Sequence, residues 1–453
     1  MASGPVLQMP LHLLSIVLSQ LDAMPSLASA IFSHSSFYAA FDEDRDRIVR
    51  SILRNQIPHE IRRYAFPAYL AATTDLRHRG KREIRFLLLD DSVEDYEFRR
   101  SMLYREITAV FDQSGPANID LANMVSRTHT MIEHFARDFI RDTLPLGDKE
   151  LGLQRKDKTA ASSDEVYRIH RAMYRYVRYC NLFRRSYNTR LAGKLGSSIT
   201  IFFFQRFAPW VNEQLACVHD YFERVLSRAF DEVAAHDVEW GCKSISWRTV
   251  ADQNQHKQGY LLRGLKFLYQ LQQATTYGER RQILGDSVPR TKNMLGTTLG
   301  GYGSTVSGWP DWDYFWDHID TTLPNGAYSV NYEWNSNGPD VYGSAPFRIW
   351  RASHEDCWRQ DVIAHADHTW LRRCGYVFWD FSEATVTDDQ LKLIISRARQ
   401  KAWLDRFRRN DGELKRKMKR SRKERAEIYK RGGRGYWSEG DLSQIVWTEG
   451  APR

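Results

Sequence analysis

The chain of 453 residues is too long for one compact core, so two or three structural units are expected. Aliphatic and aromatic residues at 42% and charged residues at 27% exclude a disordered chain. Five scattered cysteines (Cys180, Cys217, Cys242, Cys357, Cys374) exclude a secreted disulfide framework and favour a reducing compartment, nucleus or cytoplasm, while the net charge of +9 is local to residues 396–434.

From the N-terminus, residues 11–21 are apolar. No Lys or Arg precedes Arg45, and Ser15, Ser19 and Gln20 interrupt the run, which is not the make-up of a signal peptide. Pro10 starts a helix in which Leu13, Leu14, Val17, Leu18 and Leu21 recur at helical spacing. Asp22 and Pro25 break it, and Leu27, Ala28, Ile31 and Phe32 form a second apolar face, so helices are expected over 10–21 and 26–37. Ile48, Ile52, Leu53 and Ile57 continue the spacing until Pro58. Short apolar stretches follow at 84–89 and 104–111.

Residues 124–140 set Met131, Ile132, Phe135, Phe139 and Ile140 on one helical face. Residues 147–163 are polar and read as a loop, with Ser163 or Asp164 capping a helix over 166–182. That helix puts Ile169, Met173, Tyr176, Val177 and Cys180 along one stripe, with Arg168, Arg171, Arg175 and Arg178 opposite. A long helix over 208–238 enters at Pro209, and another runs over 260–271. The most apolar run elsewhere, 199–204, is far short of the roughly 20 residues that span a bilayer, so no membrane contact is expected.

After Gly285 glycines crowd the chain. Eleven of the 14 tryptophans lie beyond position 300, which predicts a packed aromatic layer with glycine turns. Residues 376–380 fit a short strand or a buried helix turn equally well. The expected fold is mainly α: an N-terminal helical hairpin within 8–50, a helical body over 51–285, a mixed Trp/Gly-rich part over 286–395, and a basic tail over 396–453.

Two short helices with this much apolar surface cannot bury it against each other alone, so it packs on another element or enters a partner's groove. Pro10, Leu13, Leu14, Leu18, Ser19, Leu21, Leu27 and Phe37-Tyr38 fall where the F-box pattern has its proline, leucines, serine and aromatic end, and the segment resembles that family. His12 stands where the family usually has Glu, and residues 33–36 are Ser-His-Ser-Ser where it has Cys and basic residues. The resemblance implies that Pro10, Leu13, Leu14, Val17, Leu18, Leu21, Leu27 and Ile31 dock on a Skp-type adaptor of a cullin ubiquitin ligase, while the rest of the chain recruits a client. The other reading of residues 10–41 is a helical hairpin that caps the next domain. Residues 371–380, Leu-Arg-Arg-Cys-Gly-Tyr-Val-Phe-Trp-Asp, look like a motif near the end of many fungal proteins with such an N-terminus, a label without chemistry.

Enzyme chemistry finds little support. Cys357, His365, His368 and Cys374 have the right atoms for zinc, but their gaps match no common zinc framework, so no metal or cofactor is expected. Residues 309–318 mix carboxylates with large rings without showing a catalytic pair. Gly300-Gly301-Tyr302-Gly303-Ser304 lacks the Lys-Ser/Thr of a phosphate loop. The densest charge is Lys415, Arg416, Lys417, Lys419, Arg420, Arg422 and Lys423, which suits a nuclear import receptor or nucleic-acid phosphates, or is a solvated helix without a partner. Arg-Gly-Gly-Arg-Gly at 431–435 reads as a flexible basic patch. With only Trp403, Phe407 and Tyr429 as rings near the run, import is favoured over single-strand binding. The sequence thus points to a non-catalytic adaptor, with a nucleic-acid-associated nuclear protein as the alternative.

Overall fold

A computed structural model of the chain describes residues 9–73, 117–152, 160–184, 207–247, 254–291, 295, 340, 343–354, 369–381, 386–408 and 411–448. The fold is mainly α, and the strands among the described residues form one two-stranded antiparallel hairpin. The chain divides into two compact units. One comprises residues 1–138 and 166–206, the other residues 139–165 and 207–453.

In the first unit, α1 (Leu11–Ser19) and α2 (Met24–Ser33) pack on α3 (Ser35–Gln56). Leu14 and Leu18 face inward one turn apart, with the small Ser15 and Ser19 beside them. Small side chains let α1 approach closely: Ser15 Oγ donates to Ala40 O at 3.1 Å, and Asn55 Nδ2 donates to Ser19 O at 3.0 Å. The expected helix over 26–37 is two helices. His34 is extended between them and its Nδ1 accepts from Ser36 N at 3.1 Å, which caps α3. Ile57 ends α3 and α4 (His59–Thr73) follows Pro58, where the periodicity breaks.

α5 (Ile119–Leu151) gives the first unit its residues up to Asp138, and α6 (Ser163–Phe183) those from Val166. Met24 N donates to Ser126 Oγ at 3.1 Å, so α5 supplies a polar partner to the start of α2. Two expectations change here. The loop over 147–163 begins later, because α5 runs through Pro145 to Leu151. The cap of α6 is Ser162, which forms a reciprocal box with Glu165 through Ser162 N to Oε2 at 2.8 Å and Glu165 N to Oγ at 3.2 Å. The arginine stripe of α6 is also not a solvent face: Arg168, Arg171, Arg175 and Arg178 are all buried. A charged stripe marks solvent only where one side of a helix is bare, and α6 is covered all round.

The second unit is built on α7 (Pro209–His236), against which α9 (Gln255–Leu261), α10 (Leu265–Gln273), α11 (Tyr277–Leu284), α12 (Ala345–His354) and α13 (Thr369–Arg373) pack, with the short α8 (Val238–Cys242) following it. The expected helix over 260–271 is two, because Gly264 takes φ +83° between α9 and α10. The aromatic layer expected after Gly285 falls largely outside the described residues; of its described rings, Phe378 meets Phe139 with ring centroids 5.1 Å apart, and Phe347 meets Trp210 at 4.9 Å. Residues 300–304, 309–318, 357, 365 and 368 lie outside the described residues, as do 84–89, 104–111 and 199–204.

Residues 371–380 now acquire a physical role. They are a helix end and a buried turn, not a strand, and they bolt onto α7. Arg372 makes a bidentate pair with the buried Glu213, Nε to Oε1 at 2.8 Å and Nη2 to Oε2 at 3.3 Å, and Tyr376 Oη donates to the same Oε1 at 3.1 Å. Gln214 Nε2 donates to Val377 O at 3.1 Å, and Trp379 Nε1 to Cys374 O at 2.7 Å. Gly375 takes φ +62° to close the turn.

The expected basic tail is folded structure. After α14 (Asp388–Arg408), α15 (Asp411–Lys430) docks on α8, and β1 (Gly433–Gly435) pairs with β2 (Ile445–Trp447), Gly433 opposite Trp447. Val238, Ile428, Trp437 and Ile445 form a small core there. Arg-Gly-Gly-Arg-Gly is therefore not a flexible patch but the end of α15 and the first strand, with Arg434 lying over the Tyr429 ring at 3.8 Å. Arg425 is buried and donates through Nη1 to Ala234 O at 2.9 Å and Asp237 O at 2.8 Å; burial pushes its pKa down to about 10. A Cβ on Gly241 would meet Arg425 Cβ at 2.5 Å, so the two helices touch only because position 241 has no side chain. Gly241→Ala is expected to displace α15 and destabilise the second unit by about 1–3 kcal/mol, read from urea unfolding, whereas Gly278→Ala, with open space around it, is not.

Candidate docking surface

Six of the nine residues of α1 are large and apolar, and a helix that is apolar all round must meet something on every side. Of these six only Leu14 and Leu18 are buried. Leu13, Ile16 and Val17 are three and four residues apart, so they share one outward side, and they are 36%, 48% and 43% exposed. Leu11 is exposed on the same helix, Phe32 on α2 is 85% exposed, and Tyr38 near the start of α3 is exposed too. Single exposed apolar residues are ordinary, but three on one side of a nine-residue helix are not.

The structure thus sorts the residues that the resemblance assigned to an adaptor. Pro10, Leu13 and Val17 are exposed, and Leu21 and Ile31 are half-buried. Leu14, Leu18 and Leu27 are buried within the chain itself, so these three cannot reach a partner while the helices stay folded. Each stabilises the packing by about 1.5–3 kcal/mol. Leu11 and Ile16 were missed as site residues. Their signal lay in the apolar run itself, since a run longer than one face can bury leaves residues over.

The basic cluster separates in the same way. Arg422 reaches Ser246 Oγ and lies over the Trp247 ring, and Arg420 pairs with Glu439 at 2.7 Å. Lys415, Arg416, Lys417, Lys419 and Lys423 are exposed on α15. Met418, Ser421, Arg425 and Ile428 occupy the buried side.

A third cluster lies in the first unit. Glu133 on α5 has His129 Nε2 at 3.4 Å and His170 Nε2 of α6 at 3.2 Å, and His129 Nδ1 is 2.9 Å from the Tyr174 hydroxyl. The imidazoles of His129 and His170 hold the Glu133 carboxyl well below the usual carboxylate range. A carboxyl whose pKa is depressed by folding contributes stability above its unfolded pKa and loses it as pH falls below that value. The first unit is therefore expected to lose stability below about pH 4.5, and Glu133→Gln to flatten that loss in circular-dichroism melts across pH 3–6. An unaltered acid profile in the variant would mean that the cluster carries no linkage.

Among the described residues no helix is long and apolar enough to cross a membrane. Comparison with protein-family models, with curated proteins and with solved structures found no match to this chain.

Proposed function

We propose that α1 to α3 are an F-box-like docking module whose outward α1 face, with Phe32 of α2, is received by a Skp-type adaptor of a cullin ubiquitin ligase. The role is non-catalytic: the remaining helices present a surface that recruits a client protein, inside the cell. One observation carries the reading. The two short helices bury one side in α3 and leave Leu13, Ile16, Val17 and Phe32 in solvent, where desolvating them favours a partner. The exposure of that apolar side among the described residues supports docking over the reading of residues 10–41 as a cap on the next domain. Purified full-length chain is expected to retain a Skp-type adaptor on an affinity column, and the Leu13→Asp/Ile16→Asp double variant to lose it at least tenfold, about 1.4 kcal/mol. Retention by both proteins alike would sink the proposal, as would retention by neither.

A further inference from the structure

We infer that the solvent-facing side of α15 is a binding surface for the phosphodiester backbone of nucleic acid, read without regard to base sequence. Lys415, Lys419 and Lys423 recur at i, i+4 and i+8, so they leave the helix about 6 Å apart along its axis. Arg416 and Lys430 flank them on the same side. Lys415, Lys417, Lys419 and Lys423 have no acidic partner among the described residues, whereas Arg420 at the edge pairs with Glu439 and Lys430 with Glu427. Like charges at this spacing weaken a helix. This one persists because its opposite side is anchored: Arg425 lies under Ala234 and Asp237, and Ile428 packs in the hairpin core. The repulsion is left standing on a rigid support, and a polyanion relieves it with little ordering of the backbone.

The same anchoring argues against other occupants. A receptor that reads an extended basic peptide would have to unwind α15 and withdraw Arg425 from its two carbonyls. An interfacial helix needs a free apolar face for lipid, and the apolar side of α15 is already spent on α8 and the hairpin. Leu442 and Val446 are exposed on the adjoining hairpin, so vesicles belong in the test.

The test uses the full chain and a fluorescent DNA duplex of about 20 base pairs between about 50 and 200 mM salt. About four neutralised phosphates predict a loss of affinity of roughly a hundredfold across that range. The Lys415→Glu/Lys419→Glu/Lys423→Glu variant is expected to bind at least tenfold more weakly at the low-salt end, with the salt slope reduced by about three. The Gln version of the same triple, which only removes charge, gives a smaller loss in the same direction. Lys149→Glu/Lys266→Glu/Lys392→Glu makes the same net change at exposed lysines elsewhere and stays within about threefold. Absence of wild-type binding at low salt, equal losses in both Glu triples, or tighter binding to phosphatidylserine vesicles than to the duplex would overturn the assignment. Because different residues carry it, none of these outcomes bears on adaptor retention.

Discussion

Leu14→Asp is expected to unfold α1 to α3, while Val17→Asp three residues on leaves them folded and removes adaptor binding. The two positions are neighbours on the surface of α1 and differ in burial, Leu14 facing α3 and Val17 lying at the edge of the outward side. Leu14 is completely buried on the side of α1 that Ser15 joins to Ala40, and burying a carboxylate there costs about 4 kcal/mol or more. Val17 already meets solvent, and Asp has a helix propensity close to that of Val, so the fold should change by about 0.5 kcal/mol or less. Hydrogen exchange of amides 11–56 in the full chain separates the cases. Fast exchange is expected throughout that stretch in Leu14→Asp, and wild-type protection in Val17→Asp. Equal protection in the two variants would mean that the inward and outward sides of α1 have been misassigned.

Arg372→Met is expected to destabilise the second unit by about 3–5 kcal/mol, because it leaves the fully buried Glu213 without its bidentate cation. Burial already raises the Glu213 carboxyl to about 7, against the pull of Arg372, so in the variant the group takes up a proton instead of staying charged. Stability of the variant therefore falls as pH rises through neutrality, a slope the native pair opposes. The Glu213→Gln/Arg372→Met double variant removes the titrating carboxyl and should recover part of the loss, most of it at the alkaline end. All 14 tryptophans lie at position 210 or later, within the residues assigned to the second unit, so tryptophan emission during urea unfolding reports that unit alone. Unchanged midpoints in Arg372→Met would show that the pair contributes nothing and that residues 371–380 are held by their aromatic side chains and the Gln214 bond to Val377 O.

Much of the helical architecture was readable from spacing. Pro10, Pro25, Pro58 and Pro209 mark helix starts close to where the structure has them, because proline fixes φ and removes a donor, although α4 and α5 continue through Pro67 and Pro145. What spacing could not give was the side on which a helix meets protein. In α1 apolar residues run all round, so Leu14 and Val17 are indistinguishable until α3 is in place. In α6 spacing put Arg168, Arg171, Arg175 and Arg178 opposite the apolar stripe but did not show that this side too is enclosed. The basic segment misled for a related reason. Its charge density hid a sparse inward stripe of Met418, Ser421, Arg425 and Ile428, one of them an arginine, that holds α15 in place. The Glu213–Arg372 pair joins residues 159 positions apart, and no local pattern announces such a contact.

Adaptor docking through the outward side of α1 makes one demand that no other use of these helices shares. Hydrogen exchange of the full chain, with and without a purified Skp-type adaptor, should slow amides of residues 11–38 by at least tenfold and leave α15 at its free rate. Unchanged exchange over 11–38 at saturating adaptor, whether or not protection appears elsewhere in the chain, would contradict it.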